Sequence, residues 1–167
     1  MKTLKELFLK NLAEIYDAEL RIAGTLPRLA RMASSDKLRD ALWFHLKETK
    51  WHLTRIEQTF DYFMEPAMRQ TCDVAIALLQ DCEDDAADFV GSPAVNAALI
   101  AAVQKLEHYE MASFGCLYEW AERLGNSNAT DILRDLLAEV RATDDKLTDL
   151  ALSGINEEAL AEMALCP

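Results

Sequence analysis

Glycine is scarce in this chain, and so are the signals of β-structure. Only five glycines occur in 167 residues, and no stretch alternates apolar and polar side chains over a useful length. The apolar residues recur instead at three- and four-residue steps, which is the period of an α-helix. We therefore expect an all-α fold.

Basic residues are also in short supply. The chain has 17 Lys and Arg against 29 Asp and Glu, which gives a formal charge of −12. Such a surface repels nucleic-acid phosphates and anionic lipid headgroups alike. No apolar run approaches the roughly 18 residues that a membrane-spanning helix needs. We expect a soluble, cytoplasmic protein that binds neither nucleic acid nor a membrane.

The cysteines lack the spacing of a zinc knuckle or of a redox pair. The chain contains Cys72, Cys82, Cys116 and Cys166, and no two of them form a Cys-x-x-Cys motif. Buried, reduced thiols are the simpler interpretation.

The helical period and its boundary signals predict four long helices, at residues 4–33, 36–63, 93–124 and 128–152. Thr3 followed by Glu6 is a capping box, and Ser92 followed by Pro93 is typical of a helix start. A shorter helix is predicted at residues 70–90, ended by Gly91, and a C-terminal tail covers residues 155–167.

The connections between these helices predict the topology. Tight turns join the first two long helices and the last two, so each pair should form an antiparallel hairpin. The segment between the hairpins is long enough to run back along a bundle. We expect residues 1–167 to form one domain, an antiparallel four-helix bundle with a long crossover that carries the short helix.

Acidic and imidazole side chains interrupt the apolar stripe of every long helix. In chain order they are Glu19, His45, Glu48, His52, Glu107, Glu110 and Glu139, with Asp144 beyond. A buried carboxylate loses several kcal/mol of hydration unless a cation or a donor compensates. Carboxylates and imidazole on four facing helices are the ligand set of a dinuclear iron or manganese site. The pattern therefore predicts two such ions, and it disfavours zinc because no thiolate is placed to bind it.

Two of these positions also have a structural interpretation, and two others compete as ligands. His45 fits a core histidine hydrogen-bonded to Glu48, and Glu110 could pair with an arginine such as Arg141. Glu139 and Asp144 are five positions apart, about 140° around a regular helix. Both can therefore bind one metal only if a π-bulge lies between them, and without a bulge Glu139 is the better candidate.

Four segments carry a resemblance to a known family: Tyr16 to Glu19, His45 to His52, Ala98 to Glu110 with its Glu-His-Tyr-Glu run, and Ala142 to Ala151. They resemble the YciE/YciF stress-protein family of the ferritin-like superfamily, and the likeness covers nearly the whole chain. The resemblance implies a ferritin-like bundle, a homodimer and a carboxylate-bridged dimetal centre.

The superfamily's metal ligands transfer position by position under this resemblance. The matching residues are Glu19, Glu48, His52, Glu107 and Glu110, with Glu139 and Asp144 as candidates on the last long helix. The superfamily's Glu-x-x-His spacing would place histidine at positions 51 and near 142, where this chain has Trp51 and Ala142. His52 still shares the helix face of Glu48.

Two functions are consistent with these observations. The first is an oxidoreductase in which two iron or manganese ions, bridged by Glu48 and Glu107, react with O2 or hydrogen peroxide during stress. The alternative is a noncatalytic helical bundle that binds metal or buries a polar network and acts as an interaction or stress-protective protein. The incomplete Glu-x-x-His pairs favour the alternative.

Overall fold

The computed structural model describes residues 2–161 as a bundle of helices. The long helices are α1 (Leu4–Met32), α2 (Asp36–Tyr62), α4 (Val95–Arg123) and α5 (Ser127–Leu150). The crossover between α2 and α4 carries the shorter α3 (Asp73–Asp88), and a π-helical turn (Ala151–Ile155) leads from α5 to α6 (Asn156–Ala161). The predicted all-α bundle with a long crossover is confirmed.

Side-chain caps fix where three of the long helices begin. Thr3 and Glu6 form the predicted capping box at the start of α1. The hydroxyl of Ser35 accepts a hydrogen bond from the backbone of Leu38 at the start of α2, and Asn126 caps α5 in the same way. Each cap satisfies a backbone donor that has no partner within the helix.

The predicted start of α4 is wrong by two residues. Ser92 does not cap this helix, because its hydroxyl donates back to the carbonyl of Phe89 at 2.8 Å. Pro93 therefore lies in the turn before α4, which begins at Val95 without a side-chain cap. The preceding helix, α3, ends at Asp88 rather than at residue 90, and Gly91 lies in the turn that follows, with a φ of +77° that suits glycine.

Three further predictions concern the cysteines, the C-terminal tail and membrane-spanning helices. Cys72 and Cys82 are buried free thiols as predicted, whereas Cys116 is exposed. Cys166 lies outside the described residues, as does the end of the predicted C-terminal tail. Among the described helices, none is long and apolar enough to cross a bilayer.

Helix packing follows the predicted connections. α1 packs against α2 and α5 packs against α4, so each hairpin forms one side of the bundle, and the contacts of α1 with α4 and of α2 with α5 join the sides. α3 lies outside this arrangement, against α1 and α4.

The interior consists of two apolar clusters separated by a polar layer. One cluster contains Phe8, Leu12, Phe60, Phe114 and Leu136 among others. The second cluster lies toward the other end of the helices and contains, among others, Ile22, Leu42, Val103, Leu106 and Leu147. The acidic and imidazole residues of all four long helices fall between these two clusters.

A buried aspartate holds the crossover against α1. Asp17 is 1% exposed, and its carboxylate accepts hydrogen bonds from Arg21, from Arg69 and from the backbone N–H of Cys72. Burial alone would raise the pKa of Asp17, but these donors outweigh it and lower the pKa. The start of α3 is thereby attached to the middle of α1.

Candidate metal centre

The polar layer brings together five buried side chains from three helices. Glu19 comes from α1, His45 and His52 come from α2, and Glu107 and Glu110 come from α4. All five are at most 2% exposed. Each replaces an apolar residue on the inner face of its helix, so the helical period itself directs it into the core.

These five residues form two groups that share one member. Glu19, His52 and Glu110 form the first group, and His45, Glu107 and Glu110 form the second. In each group the ligand atoms lie within 4.8 Å of one another. Glu110 belongs to both groups, which is the arrangement expected where two cations lie side by side.

Most of the polar atoms in the layer have no donor or acceptor among the described residues. Both carboxylate oxygens of Glu107 and of Glu110 lack a hydrogen-bond partner, as do Oε2 of Glu19 and both ring nitrogens of His45. Nε2 of His45 lies 3.1 Å from Oε1 of Glu107, a close contact without hydrogen-bond geometry. Buried polar groups are normally satisfied, so this concentration of unsatisfied atoms needs an explanation.

Burial shifts the pKa of the unsatisfied groups toward their neutral forms. It raises the pKa of Glu107 and of Glu110 well above the ordinary value, and the nearby carboxylate of Glu19 adds to both shifts. Burial also lowers the pKa of His45 to about 3, so this imidazole is neutral at physiological pH. A neutral imidazole is the form that binds a metal.

His52 joins the buried groups to a charged pair at the edge of the bundle. Its Nδ1 lies 3.1 Å from Oε1 of Glu19, and its Nε2 lies 3.3 Å from Oε2 of Glu139 on α5. Burial disfavours the charged imidazole, but these two carboxylates outweigh it and raise the pKa of His52 to about 9. The contact with His52, helped by Arg55, lowers the pKa of Glu139 to about 2.

Arg55 is the partner of Glu139. Its two terminal nitrogens donate to the two carboxylate oxygens of Glu139, at 2.9 and 2.5 Å. Such a bidentate pair fixes the orientation of the carboxylate. Glu139 therefore adjoins the first group but is paired with a cation of the protein.

Besides Glu139, two further predicted ligands lie outside both groups. Glu48 is half-buried, and its Oε2 accepts a hydrogen bond from the hydroxyl of Thr143 at 3.2 Å. Asp144 accepts a hydrogen bond from Gln104 and lies 3.4 Å from Nε2 of His108. The chain is α-helical without interruption from Glu139 to Asp144, and the π-helical turn occurs later, at Ala151–Ile155. No bulge therefore turns Asp144 toward Glu139.

The structure lacks the partners that the structural interpretations of His45 and Glu110 required among the described residues. His45 contacts Glu107 rather than Glu48, and Glu110 has no arginine partner among the described residues, where Arg141 is exposed. Arg55 was missed by the sequence analysis. Its position three residues after His52, on the same face of α2, is the signal that could have revealed it.

The donor set fits a pair of divalent cations. Three buried carboxyl groups and two imidazoles converge with one hydrogen bond between them, that of His52 with Glu19, and oxygen and imidazole ligands suit manganese and iron. The described cysteines contribute no ligand to either group. What the geometry shows is a set of buried groups able to hold metal; iron and manganese remain the predicted ions.

Comparisons with known proteins agree with this architecture. The family model described as "Domain of unknown function (DUF892)" matches residues 3–160. Protein YciF of Escherichia coli K12 is 38% identical over 160 residues, which are 95% of this chain and 96% of YciF. The predicted resemblance to the YciE/YciF family is thus confirmed.

Two solved structures have the same arrangement of helices. The crystal structure of the E. coli stress protein YciF matches with a TM-score of 0.85 and 38% identity, over 93% of this chain and 99% of that one. The structure of YcfI from Rhodopseudomonas palustris matches with a TM-score of 0.85 and 31% identity, over 88% of this chain and 94% of that one.

Proposed function

The chain belongs to the DUF892 family, and from that premise we propose that it is a cytoplasmic stress-response protein with a dinuclear iron or manganese centre. The centre would react with O2 or hydrogen peroxide, as a peroxide- or iron-detoxifying oxidoreductase. The observation that carries the proposal is the set of unsatisfied buried atoms on Glu107 and Glu110. The description of YciF as a stress protein supports the physiological context.

Five residues would hold the two ions. Glu19 and His52 would bind one ion, His45 and Glu107 would bind the other, and Glu110 would contact both because it belongs to both groups. Glu139 would complete the first site from α5, where it already lies 3.3 Å from His52. Glu48 remains a predicted ligand at the edge of the layer.

The chain's own residues prepare the site for cations by controlling protons. Carboxyl groups with raised pKa values, Glu107 and Glu110, and an imidazolium at His52 keep the metal-free interior close to neutral. Divalent cations displace these protons and leave the ionised ligands paired. When bound, such ions supply redox chemistry and open coordination positions for a small oxidant. The apolar clusters on both sides exclude bulk water from this layer.

Metal content is the first measurement. The protein should be purified without chelator and analysed by plasma mass spectrometry, before and after anaerobic loading with Fe(II) or Mn(II). We expect about two ions per chain, one for each group of ligands. Oxidation of the Fe(II)-loaded protein by peroxide should then produce a near-ultraviolet absorption band.

Substitution on α4 tests the assignment of the ligands. Glu107→Ala should abolish the uptake of metal, and Glu107→Gln should do the same while preserving the size of the side chain. The matched control is Glu119→Ala, because Glu119 lies on the same helix with its side chain 55% exposed. The assignment is wrong if folded Glu107→Ala protein retains two equivalents of iron.

The noncatalytic alternative has one observation in its favour. The raised pKa values of Glu107 and Glu110 allow both groups to remain neutral in the core, where protonated carboxyls can exist without a cation. A wild-type protein that takes up no metal, or holds metal that does not react with oxidants, would favour an interaction or stress-protective bundle.

We also propose that the protein forms a homodimer, as the family resemblance implies. Light scattering should then give about twice the chain mass of 18.8 kDa. A mass equal to that of one chain would contradict the proposal.

A further inference from the structure

A pocket of about 250 Å³ lies between α2 and α5, next to the polar layer. Its lining combines aromatic, basic and acidic side chains: Phe44, Lys47, Glu48, Trp51, Arg55 and Glu139. None of these belongs to the two buried groups, but two of them, Glu48 and Glu139, are carboxylates on the edge of the layer.

Glu139 connects this pocket to the buried layer. Its side chain is 36% exposed on the pocket side, while its Oε2 lies 3.3 Å from Nε2 of the buried His52. His52 in turn contacts Glu19 at 3.1 Å. A cation that reaches Glu139 from the pocket is therefore next to His52, a member of the first group of ligands.

Arg55 occupies the carboxylate that such a cation would need. Both oxygens of Glu139 accept hydrogen bonds from its guanidinium. The guanidinium and an arriving divalent cation compete for the same two oxygens, and their positive charges repel each other across the pocket. The two oxygens of Glu139 can therefore bind either the guanidinium or the divalent cation, but not both.

We propose that this pocket is the entrance to the metal centre and that Arg55 is a positioning residue, holding Glu139 at the entrance until a divalent cation replaces the guanidinium. The inference rests on the proposed function, because it presumes that the buried groups bind metal. Glu48, half-buried on the same wall, provides a second carboxylate for the entering hydrated cation.

Arg55 has opposite effects on the metal-free and metal-loaded states. In the metal-free protein it compensates a carboxylate at the edge of an acidic layer, which stabilises the fold. Once metal is present, its charge opposes that of the ions. Removing Arg55 should therefore speed the uptake of metal and tighten binding, whereas an arginine with only a structural role would leave both unchanged or weaken them.

Lys47 offers a matched control in the same pocket. It carries the same charge and is exposed, and no ion pair to it occurs among the described residues. Lys47→Gln thus changes the charge of the entrance without changing the partner of Glu139. Arg55→Gln changes both.

The experiment measures binding of Co(II) and of Fe(II) under anaerobic conditions by stopped-flow tryptophan fluorescence and by titration. We expect Arg55→Gln to increase the rate and the affinity roughly tenfold, the effect of losing one bidentate charged pair. Lys47→Gln should change both by less than about threefold, as removal of one screened surface charge does. Arg55→Lys keeps the positive charge but loses the pair of nitrogens that contacts both oxygens of Glu139. Its rate and affinity should therefore lie between those of wild type and of Arg55→Gln.

A double-mutant cycle keeps the test decisive. Glu139→Gln should weaken the binding of metal. Arg55→Gln should not increase the rate or the affinity in the Glu139→Gln background, because Arg55 affects binding through its pairing with Glu139. If Arg55→Gln does not fold, the comparison of Arg55→Lys with Lys47→Gln decides. If wild-type protein binds no metal, the proposed function fails and this inference fails with it. If wild type binds metal but Arg55→Gln behaves like Lys47→Gln, or binds more slowly, only this inference is overturned.

Discussion

Asp17 and Glu19 lie two residues apart on α1, and both are buried, yet their surroundings differ completely. Asp17 accepts hydrogen bonds from two arginines and a backbone N–H. Glu19 has one oxygen near His52 and another with no partner among the described residues, and Glu110 beside it has none at all. One helix thus carries a carboxylate whose oxygens all have donors, Asp17, and a carboxylate in the layer whose atoms mostly lack hydrogen-bond partners, Glu19.

The difference teaches that burial alone does not identify a metal ligand. A buried carboxylate whose donors come from the protein is a structural link, and Asp17 attaches the crossover in this way. A buried carboxylate without donors requires protonation or an external cation. The pKa directions reflect this contrast, since the pKa of Asp17 is lowered whereas those of Glu107 and Glu110 are raised.

The largest effect should come from breaking the satisfied site. Asp17→Ala leaves Arg21, Arg69 and the N–H of Cys72 without their shared acceptor. Water can still reach the two arginines, so the cost should be about 3 kcal/mol, the upper end for hydrogen bonds to a charged group. Urea denaturation of the metal-free protein should show this loss in the free energy of unfolding.

The binding of metal should nevertheless survive in Asp17→Ala, measured well below its midpoint of unfolding. Glu14→Ala is a suitable control, because Glu14 lies one turn earlier on α1 and its side chain is 24% exposed. A stable Asp17→Ala variant that binds no metal would show that the two carboxylates are not separate in function.

Addition of metal should have the next largest effect, and only at the unsatisfied layer. Binding of one ion at a hundredfold excess over its dissociation constant stabilises the folded state by about 2.7 kcal/mol. Thermal denaturation with and without Mn(II) should show a higher melting temperature for wild type and for Asp17→Asn. Glu110→Ala should show no increase, and an increase equal to that of wild type would exclude Glu110 as a ligand.

The smallest effect should be the change in stability that one titrating group produces per pH unit in the metal-free protein. Glu107 and Glu110 have raised pKa values in the folded state, and the pKa of His52 is raised to about 9. The folded protein therefore binds more protons than the unfolded chain above pH 6.5. Stability should fall as the pH rises from 6.5 to 9, by at most about 1.4 kcal/mol per pH unit for each group.

Glu110→Gln provides the control for this slope, because the amide cannot ionise. The variant should lose less stability than wild type between pH 6.5 and 9 in urea denaturation. An equal slope in the two proteins would mean that Glu110 does not titrate in this range. Saturating Mn(II) should also flatten the wild-type slope, because bound cations pair the ionised carboxylates.

The helices were predictable because their signals are local. Caps such as the Thr3–Glu6 box, the helical period and Gly91 depend on neighbours within a few residues. The start of α4 was not predicted correctly, because the hydroxyl of Ser92 donates to the preceding turn instead of capping α4. The local sequence does not show which of these two hydrogen-bond partners the hydroxyl takes.

The candidate site was predictable in its composition but not in its pairing. Periodicity alone placed Glu19, His52, Glu107 and Glu110 on inner helix faces. It could not show that Arg55 binds Glu139, that Thr143 binds Glu48, or that His45 lies against Glu107, since those partners come from different helices.

The sequence by itself determined an all-α chain, its helices, and a layer of acidic and imidazole residues in the middle of the four long ones, because helix formation and amphipathic spacing are properties of short segments. Only the tertiary structure decided which buried carboxylates are satisfied. The donors of Asp17 include Arg69 and Cys72 of the distant crossover, whereas no donor reaches Glu110. The free energy of a buried charge depends on the atoms within a few ångströms of it, and packing brings those atoms there from distant parts of the chain.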